Sequence, residues 1–460
     1  EAANTRSVAF FVMGTYSYKG KYTLTGTGRY EGTNRLGKSR SARWLPTWNI
    51  AGAWNVHEEK FYSNFSHPVL SHATLKASYS LTADRGPAFV TNSQTILNSY
   101  SPWRPSASVT ESGMRITELE NSELTYEKKH EFNVGVDLGF LHNRINLAAD
   151  YYRRNNFDLI GVINTQGAGG TIAKYANIAS MRSSGIELTL STQNIKKKDF
   201  SWNTDFIFSK TKNEITDLKS HANVLDLISG NGFGREGYPV RALFSIPFAG
   251  LTEDGLPTFI NQDGQRTIST LNFQEYEKLG FLKYEGPTDP TITGSFGNIL
   301  TYKNFKLNVF LTYSFGNVIR LDPVFSSAYS DLDAMPKEFK NRWMKAGDEN
   351  TTNIPTIVSY RMNQQYAYLN MAYNAYNYSD VRIADGGFIR LKEISLSYDL
   401  PAKVLNFFRL NKLQFKIQAT NLFLLYADSK LNGQDPEFFR SGGVSTPVPR
   451  QFTFTIRLGL

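Results

Sequence analysis

GSFGNILTYKNFKLNVFLTYSFG, residues Gly294–Gly316, reads as two β-strands joined by a short turn. In the second strand Leu307, Val309, Leu311, Tyr313 and Phe315 point one way. Lys306, Asn308, Thr312 and Ser314 point the other, and Phe310 alone breaks the polar rule. A period of two, with one apolar and one polar face, is the signature of a half-buried strand. The fold question is whether the apolar face meets a protein core or lipid.

The same pattern recurs outward in both directions. Val8–Tyr18 and Tyr22–Tyr30 form a predicted hairpin across Lys19–Gly20–Lys21. Leu75–Leu81 alternates cleanly. Phe132, Val134, Val136, Leu138 and Phe140 share a face, and after a turn at His142–Asn143 so do Ile145, Leu147, Ala149 and Tyr151. Gly185–Thr192 and Ser201–Lys210 follow, with Glu187 and Asp205 on polar faces. The last strands are Phe388–Tyr398, Leu413–Leu424 and Gln451–Leu460; a phase shift at Lys392–Glu393 predicts a β-bulge. The alternating runs extend over about nine to eleven residues, the length that crosses a tilted bilayer, whereas soluble sandwich strands usually run about five or six. A carboxylate in mid-strand is costly toward lipid and cheap toward a wet lumen. Length and charge placement therefore turn the apolar faces to lipid.

Composition agrees. The chain has 460 residues, including 25 Tyr and 32 Phe, and aromatic residues make up 14%. Strands and membrane interfaces both favour these residues, and the stretch Trp44–Trp54 is rich in Trp, with Trp48 between the two, which suits a lipid–water boundary or ordinary aromatic packing. Mean hydropathy is −0.36 and no apolar run is long enough for a transmembrane helix. That leaves a membrane barrel open, because the polar half of every strand dilutes the average. The absence of cysteine excludes a disulfide framework. The net charge of +9 is spread along the chain, with one short run at Lys196–Lys198, so no nucleic-acid partner is expected. Anionic lipid headgroups explain the basic excess more simply. The first residues, EAANTRSVAF, lack the pattern of a signal peptide, so either a signal was removed or this is the later part of a longer polypeptide.

Between strands lie long loops. Residues 82–123 form an irregular stretch carrying Tyr100, Trp103 and Arg104. Residues 217–284 are turn-rich, with hairpin dipeptides at Asp254–Gly255 and Asp263–Gly264 and a predicted helix over Leu271–Leu279. Residues 317–385 hold a predicted helix, Pro336–Ala346, and the run QQYAYLNMAYNAYNY. Loops this long are usually functional or disordered. Aromatic and amide side chains suit sugar rings and peptide backbones alike, although such a loop can also pack its tyrosines on itself.

Chemistry-bearing patterns are few. The histidines His57, His67, His72, His130, His142 and His221 show no metal-ligand spacing, and no nucleophile elbow is present. Gly167–Gly170 and Gly230–Gly234 do not have the setting of phosphate loops. Asp331 and Asp333 could hold calcium weakly, but a solvated loop explains them better. No cofactor and no enzymatic activity are expected.

Nine segments in order resemble the C-terminal, barrel-forming part of the SusC/RagA family of TonB-dependent outer-membrane transporters. They include RYEGTNRLG (Arg29–Gly37), LPTWNIAGAWNVHEEKF (Leu45–Phe61), Leu124–Ile160 and NIASMRSSGIEL (Asn177–Leu188). Asp289–Gly316, RWMKAGDENTTNIP (Arg342–Pro355) and IADGGFIRLKEISLSYDLP (Ile383–Pro401) continue the series, which ends with NLFLL (Asn421–Leu425) and GQDPE (Gly433–Glu437). The resemblance implies an all-β, membrane-spanning antiparallel barrel of about 22 strands, of which this chain supplies about 14. It implies a plug and first barrel strands outside this chain, a SusD-like surface lipoprotein as a lid, and energy from TonB. It places the protein in the outer membrane of a Gram-negative bacterium and makes glycans or oligopeptides the cargo. The sequence departs from the family pattern at Leu460, where such barrels commonly end in an aromatic residue.

On this reading Leu307, Val309 and Leu311 contact lipid, and Asn308 and Thr312 line the lumen. The candidate substrate-binding residues are Trp103 and Arg104 in the first long loop, and Tyr366, Tyr368, Tyr373, Tyr376 and Tyr378 in the second. They rest on loop length and composition. The competing readings are a soluble or surface-exposed β-protein that binds carbohydrate, and an outer-membrane enzyme.

Overall fold

The computed structural model describes residues 5–63, 69–87, 95–103, 111–167, 172–324, 335–408, 410–439 and 446–459. Thirteen long strands, β1–β13, form one sheet whose order follows the chain. Contacts divide the chain into two units, residues 1–188 with 211–221, and residues 189–210 with 222–460.

The first unit holds β1 (Ser7–Tyr18), β2 (Tyr22–Thr33), β3 (Trp44–Asn55), β4 (Leu70–Asp84), β5 (Glu127–Phe140) and β6 (Ile145–Asn164). Consecutive members pair antiparallel. Turns at one end are short. Lys19 and Gly20 lie at φ +52° and +69°, and Leu141, His142 and Asn143 lie between +53° and +61°. The loop over 85–126 is not wholly irregular, since Ile96–Tyr100 pairs with Gly113–Glu118 as a short hairpin. At the long-loop end a small core of Leu36, Leu45, Leu124 and Tyr126 closes against Ile160 and Tyr175.

β7 (Ala173–Lys196) and β8 (Phe200–Leu218) each run through both units. The second unit adds β9 (Ile292–Tyr302), β10 (Phe305–Phe315), β11 (Phe388–Asp399), β12 (Lys412–Ala427) and β13 (Gln451–Gly459). β9, β10 and β13 match the expected length, but β6, β7 and β8 have 20, 24 and 19 residues. Periodicity measures only the apolar band, whereas backbone pairing continues where both faces are polar.

The register sorts the faces. Residues paired directly across strands share a face, so Trp202, Leu300, Leu307 and Leu396 line up, as do Phe206, Phe296 and Leu311. Their side chains remain partly or largely exposed. Aromatic pairs flank the apolar band within each unit. At the short-turn end Tyr22 stacks on Trp54 at 6.3 Å, and Phe305 meets Tyr398 at 4.5 Å. At the other end Tyr30 stacks on Trp44 at 5.1 Å, and Phe206 meets Tyr313 at 6.4 Å. Tyr22 to Tyr30 and Phe305 to Tyr313 both span eight residues, about 26 Å along a strand and about 20 Å once tilted, close to the band of a membrane barrel. Phe310, the apolar residue on the polar face, lies over Gly297, where an added Cβ would stand 3.3 Å from its ring.

The β-bulge is present. Phe310 pairs with Glu393 and Leu311 with Leu391, which leaves Lys392 as the extra residue. The Asp254–Gly255 and Asp263–Gly264 turns also form, with both glycines at φ +76°. Two predicted helices do not form as expected. Over Leu271–Leu279 the Glu275 carboxylate accepts the N–H groups of Tyr276, Glu277 and Lys278. This local capture competes with helical hydrogen bonding. Only Leu279–Phe281 makes a single 3₁₀ turn. Over Pro336–Ala346 a 3₁₀ turn covers Lys337–Asn341 alone. The chain then leaves the axis so that Trp343 N–H donates to Ile354 O and its ring covers Gly255.

Candidate functional site

The polar face of the second unit is a hydrogen-bonded wall. Asn308 Nδ2 donates to Glu393 Oε1 at 3.1 Å, Ser395 Oγ donates to the same oxygen at 3.1 Å, and Lys416 lies 3.8 Å away. Toward the long-loop end Arg390, 4% exposed, donates to both carboxylate oxygens of Asp435 at 2.6 and 2.7 Å. Glu437 adds a contact at 3.1 Å. A loop is thus tied to the wall by a nearly buried ion pair. In the first unit Glu131 binds Lys129 and Arg154, and Arg154 packs 4.0 Å from the Tyr152 ring centroid.

The insertions over 219–291 and 316–387 fold as a body with their own core. Leu227, Ile228, Ala242, Ile246 and Phe259 are fully buried together with Val324, Ala372 and Tyr376. Helix Val224–Ile228 starts in a capping box between Asn223 and Asp226. Arg320 is buried at the centre and donates to the carbonyls of Ser379 and Phe244 at 3.1 and 2.6 Å, and to Ser245 Oγ. Its guanidinium lies 5.6 Å from the Tyr378 ring centroid.

The tyrosine-rich run is helical, in two pieces, Tyr360–Gln365 and Leu369–Asn377. This separates the candidate residues. Tyr373 and Tyr376 are 2% and 1% exposed, Tyr373 in a small cluster with Leu256 and Leu369, and Tyr376 in the main insertion core, where it also borders a cavity. Burial pushes the Tyr376 phenol up to about 12. Tyr378 packs partly buried against the same core. Tyr368 is exposed, and Tyr366 is half-buried with its hydroxyl 3.4 Å from Asp254 Oδ2. Trp103, in the first unit, is 85% exposed. Arg104 lies outside the described residues, as do Asp331 and Asp333. Among the described residues no three His, Asp or Glu side chains are grouped to hold a metal.

Tyr366 borders an open cleft of about 840 Å³ with Thr252, Glu253, Arg266, Glu349 and Gln365. Arg266 Nε donates to Thr258 Oγ1 at 3.0 Å, which fixes its fork at the cleft wall. The Trp343 indole N–H and local backbone N–H groups hold Glu349 below the usual carboxylate range. Together these groups can hold hydroxyls and amides by directed hydrogen bonds. A second polar recess is bordered by Lys283, Glu285, Asp380 and Asp428. Burial raises the Glu285 carboxyl above its ordinary value, against the opposing pull of Lys283.

Three features escaped the sequence reading. The pairing of Arg390 with GQDPE needed the tertiary contact. Arg266 had no local pattern around it. The burial of Tyr373 and Tyr376 was signalled, because Leu369, Ala372, Tyr373 and Tyr376 stand at i, i+3, i+4 and i+7, the spacing of one helix face.

A family model described as TonB dependent receptor-like, beta-barrel, matches residues 1–422. The TonB-dependent receptor P3 of Formosa agariphila is 25% identical over 456 residues, covering 94% of this chain and 42% of that protein. The TonB-dependent receptor SusC of Bacteroides thetaiotaomicron is 26% identical over 495 residues, covering 100% of this chain and 44% of that protein. The structure of the RagAB peptide transporter superposes with a TM-score of 0.79 at 22% identity, covering 99% of this chain and 47% of that one, and supports the fold. The chain spans less than half the length of these relatives. Lipid-facing strands, a polar inner wall and a family match over most of the sequence converge: this chain belongs to the TonB-dependent receptor β-barrel family of the Gram-negative outer membrane.

Proposed function

We propose that this chain forms the barrel wall and extracellular loops of an active importer of oligosaccharides or oligopeptides. It works with a SusD-like surface lipoprotein and is energised by TonB. The observation that carries this reading is the SusC match along the full chain, joined to a sheet with one apolar and one hydrogen-bonded polar face. The polar wall conducts, and the insertions capture. Tyr366 contacts cargo at the cleft, and the exposed Tyr368 and Trp103 are cargo contacts of the second and first units respectively. The printed name of the RagAB transporter keeps peptide cargo beside glycan. No bond chemistry is required of the wall.

The test is uptake. Disrupting the gene should abolish growth on one class of oligosaccharide or peptide, and the purified receptor should bring down a surface lipoprotein. Combined Trp103→Ala, Tyr366→Ala and Tyr368→Ala should weaken uptake while leaving barrel assembly intact. Unchanged affinity and uptake in that variant would remove these three residues from the site. Extraction without detergent would favour the soluble carbohydrate-binding reading instead.

A further inference from the structure

The RWMKAGDENTTNIP segment is not accounted for by transport through the wall. Within the second unit it borders a cavity of about 590 Å³, which the Tyr376–Arg382 region and Lys430 complete. That size is within the range of small-ligand sites. Five charged side chains line it, Glu338, Arg342, Asp348, Arg382 and Lys430, three positive and two negative.

Both carboxylates are already engaged. Glu338 Oε1 accepts from Arg382 Nη1 at 2.6 Å. Asp348 accepts the backbone N–H groups of Met344 and Lys345 at 3.0 and 3.1 Å. Two cations have only weak or main-chain partners among the described residues. Arg342 Nη1 donates to Phe339 O at 3.4 Å and its guanidinium lies 4.9 Å from the Phe339 ring centroid, and Lys430 Nζ donates to Ile383 O at 3.0 Å. Arg382 is 3% exposed, and its Nε–H meets no acceptor among the described residues. With three cations against two carboxylates the recess carries one net positive charge, and a guanidinium fork matches a planar carboxylate.

Resting on the import reading above, we propose that this cavity is an anion subsite that takes the carboxylate of an acidic sugar residue in the cargo. Arg342 and Lys430 would hold the carboxylate, and Arg382 fixes the charged floor. Sugar is favoured over peptide by the lining. Asn341, Thr351 and Asn353 offer amides and hydroxyls to ring hydroxyls, whereas the apolar contribution is limited to Leu321, Ile354, Val381 and the Tyr376 ring.

The test uses the full-length receptor purified in detergent, with a hexameric oligogalacturonate, a neutral maltohexaose and an acidic hexapeptide as probes in calorimetry. The oligogalacturonate should bind, with affinity falling as salt rises. Arg342→Gln and Lys430→Gln should each weaken it about tenfold or more, and Arg342→Lys should restore part of the loss. Lys430 is exposed and touches only a carbonyl, so its variant keeps the test valid if Arg342→Gln fails to assemble. Equal binding of acidic and neutral probes, or variants indistinguishable from the parent, would overturn the proposal. So would binding of the acidic peptide alone. If uptake of every cargo fails while the acidic sugar still binds through Arg342, the import reading falls and the anion subsite stands.

Discussion

The strand wall and the loop insertion of the second unit are built from similar residues and stabilised by different means. On the wall, apolar side chains such as Ile417 and Phe454 pair across strands yet stay more than half exposed. In the insertion, Leu227, Ile228 and Phe259 have no exposure at all. Apolar area withdrawn from water contributes about 25 cal/mol per Å². The insertion obtains that gain from its own core. The wall obtains it only when lipid covers Leu307, Val309 and Leu311. One chain therefore contains a region that folds against solvent and a region that folds against hydrocarbon.

Substitutions can break this contrast. The largest expected effect is in the insertion core, where Phe259→Ala should cost about 3–5 kcal/mol. Limited proteolysis should then cut the insertion while the barrel keeps its heat-resistant mobility on gels. If the barrel collapses too, the two regions are not separately stabilised. Next is Arg390→Ala, which strands Asp435 nearly buried and should cost about 3 kcal/mol, read as faster hydrogen exchange around Gln434–Phe439. Smaller again is Val309→Lys, midway between the aromatic girdles, at about 2 kcal/mol in a refolding titration into lipid. The same substitution at Asn308 should cost less, and equal costs would mean that the faces are assigned wrongly.

The smallest effect concerns pH. Burial raises the folded-state value of Glu285 above its unfolded one. Its contribution is therefore fully present below the unfolded value and lost as pH rises through the folded one. Glu285→Gln should stabilise the insertion at neutral pH, with the gain over the parent shrinking as pH falls toward the unfolded carboxylate value. A gain independent of pH would show that packing, not charge, is responsible.

How legible each region was follows the same division. The wall could be read because a period of two needs only local sequence, and because lipid demands an uninterrupted apolar face. Even the bulge at Lys392 left its mark as a break in parity. The insertion obeys no single period. Its tyrosines look alike in composition, yet Tyr368 is exposed and Tyr376 buried, and only the helical spacing from Leu369 tells them apart. Trp343 was expected within a helix and instead covers Gly255, a contact across 88 positions that no local pattern announces. The Tyr366 cleft and the Arg342 cavity are products of such distant contacts.

The extra residue at Lys392 has a consequence for how the wall and its loop are wired. Counted by strict alternation, Arg390 and Glu393 would project to opposite sides of β11. With one residue looped out they project to the same side, so the anchor for Asp435 and the wall group for Asn308 stand on one surface. The bulge works as a frame-shift in space. Removing Lys392 alone, with every other residue kept, would put either the loop anchor or the wall carboxylate against hydrocarbon.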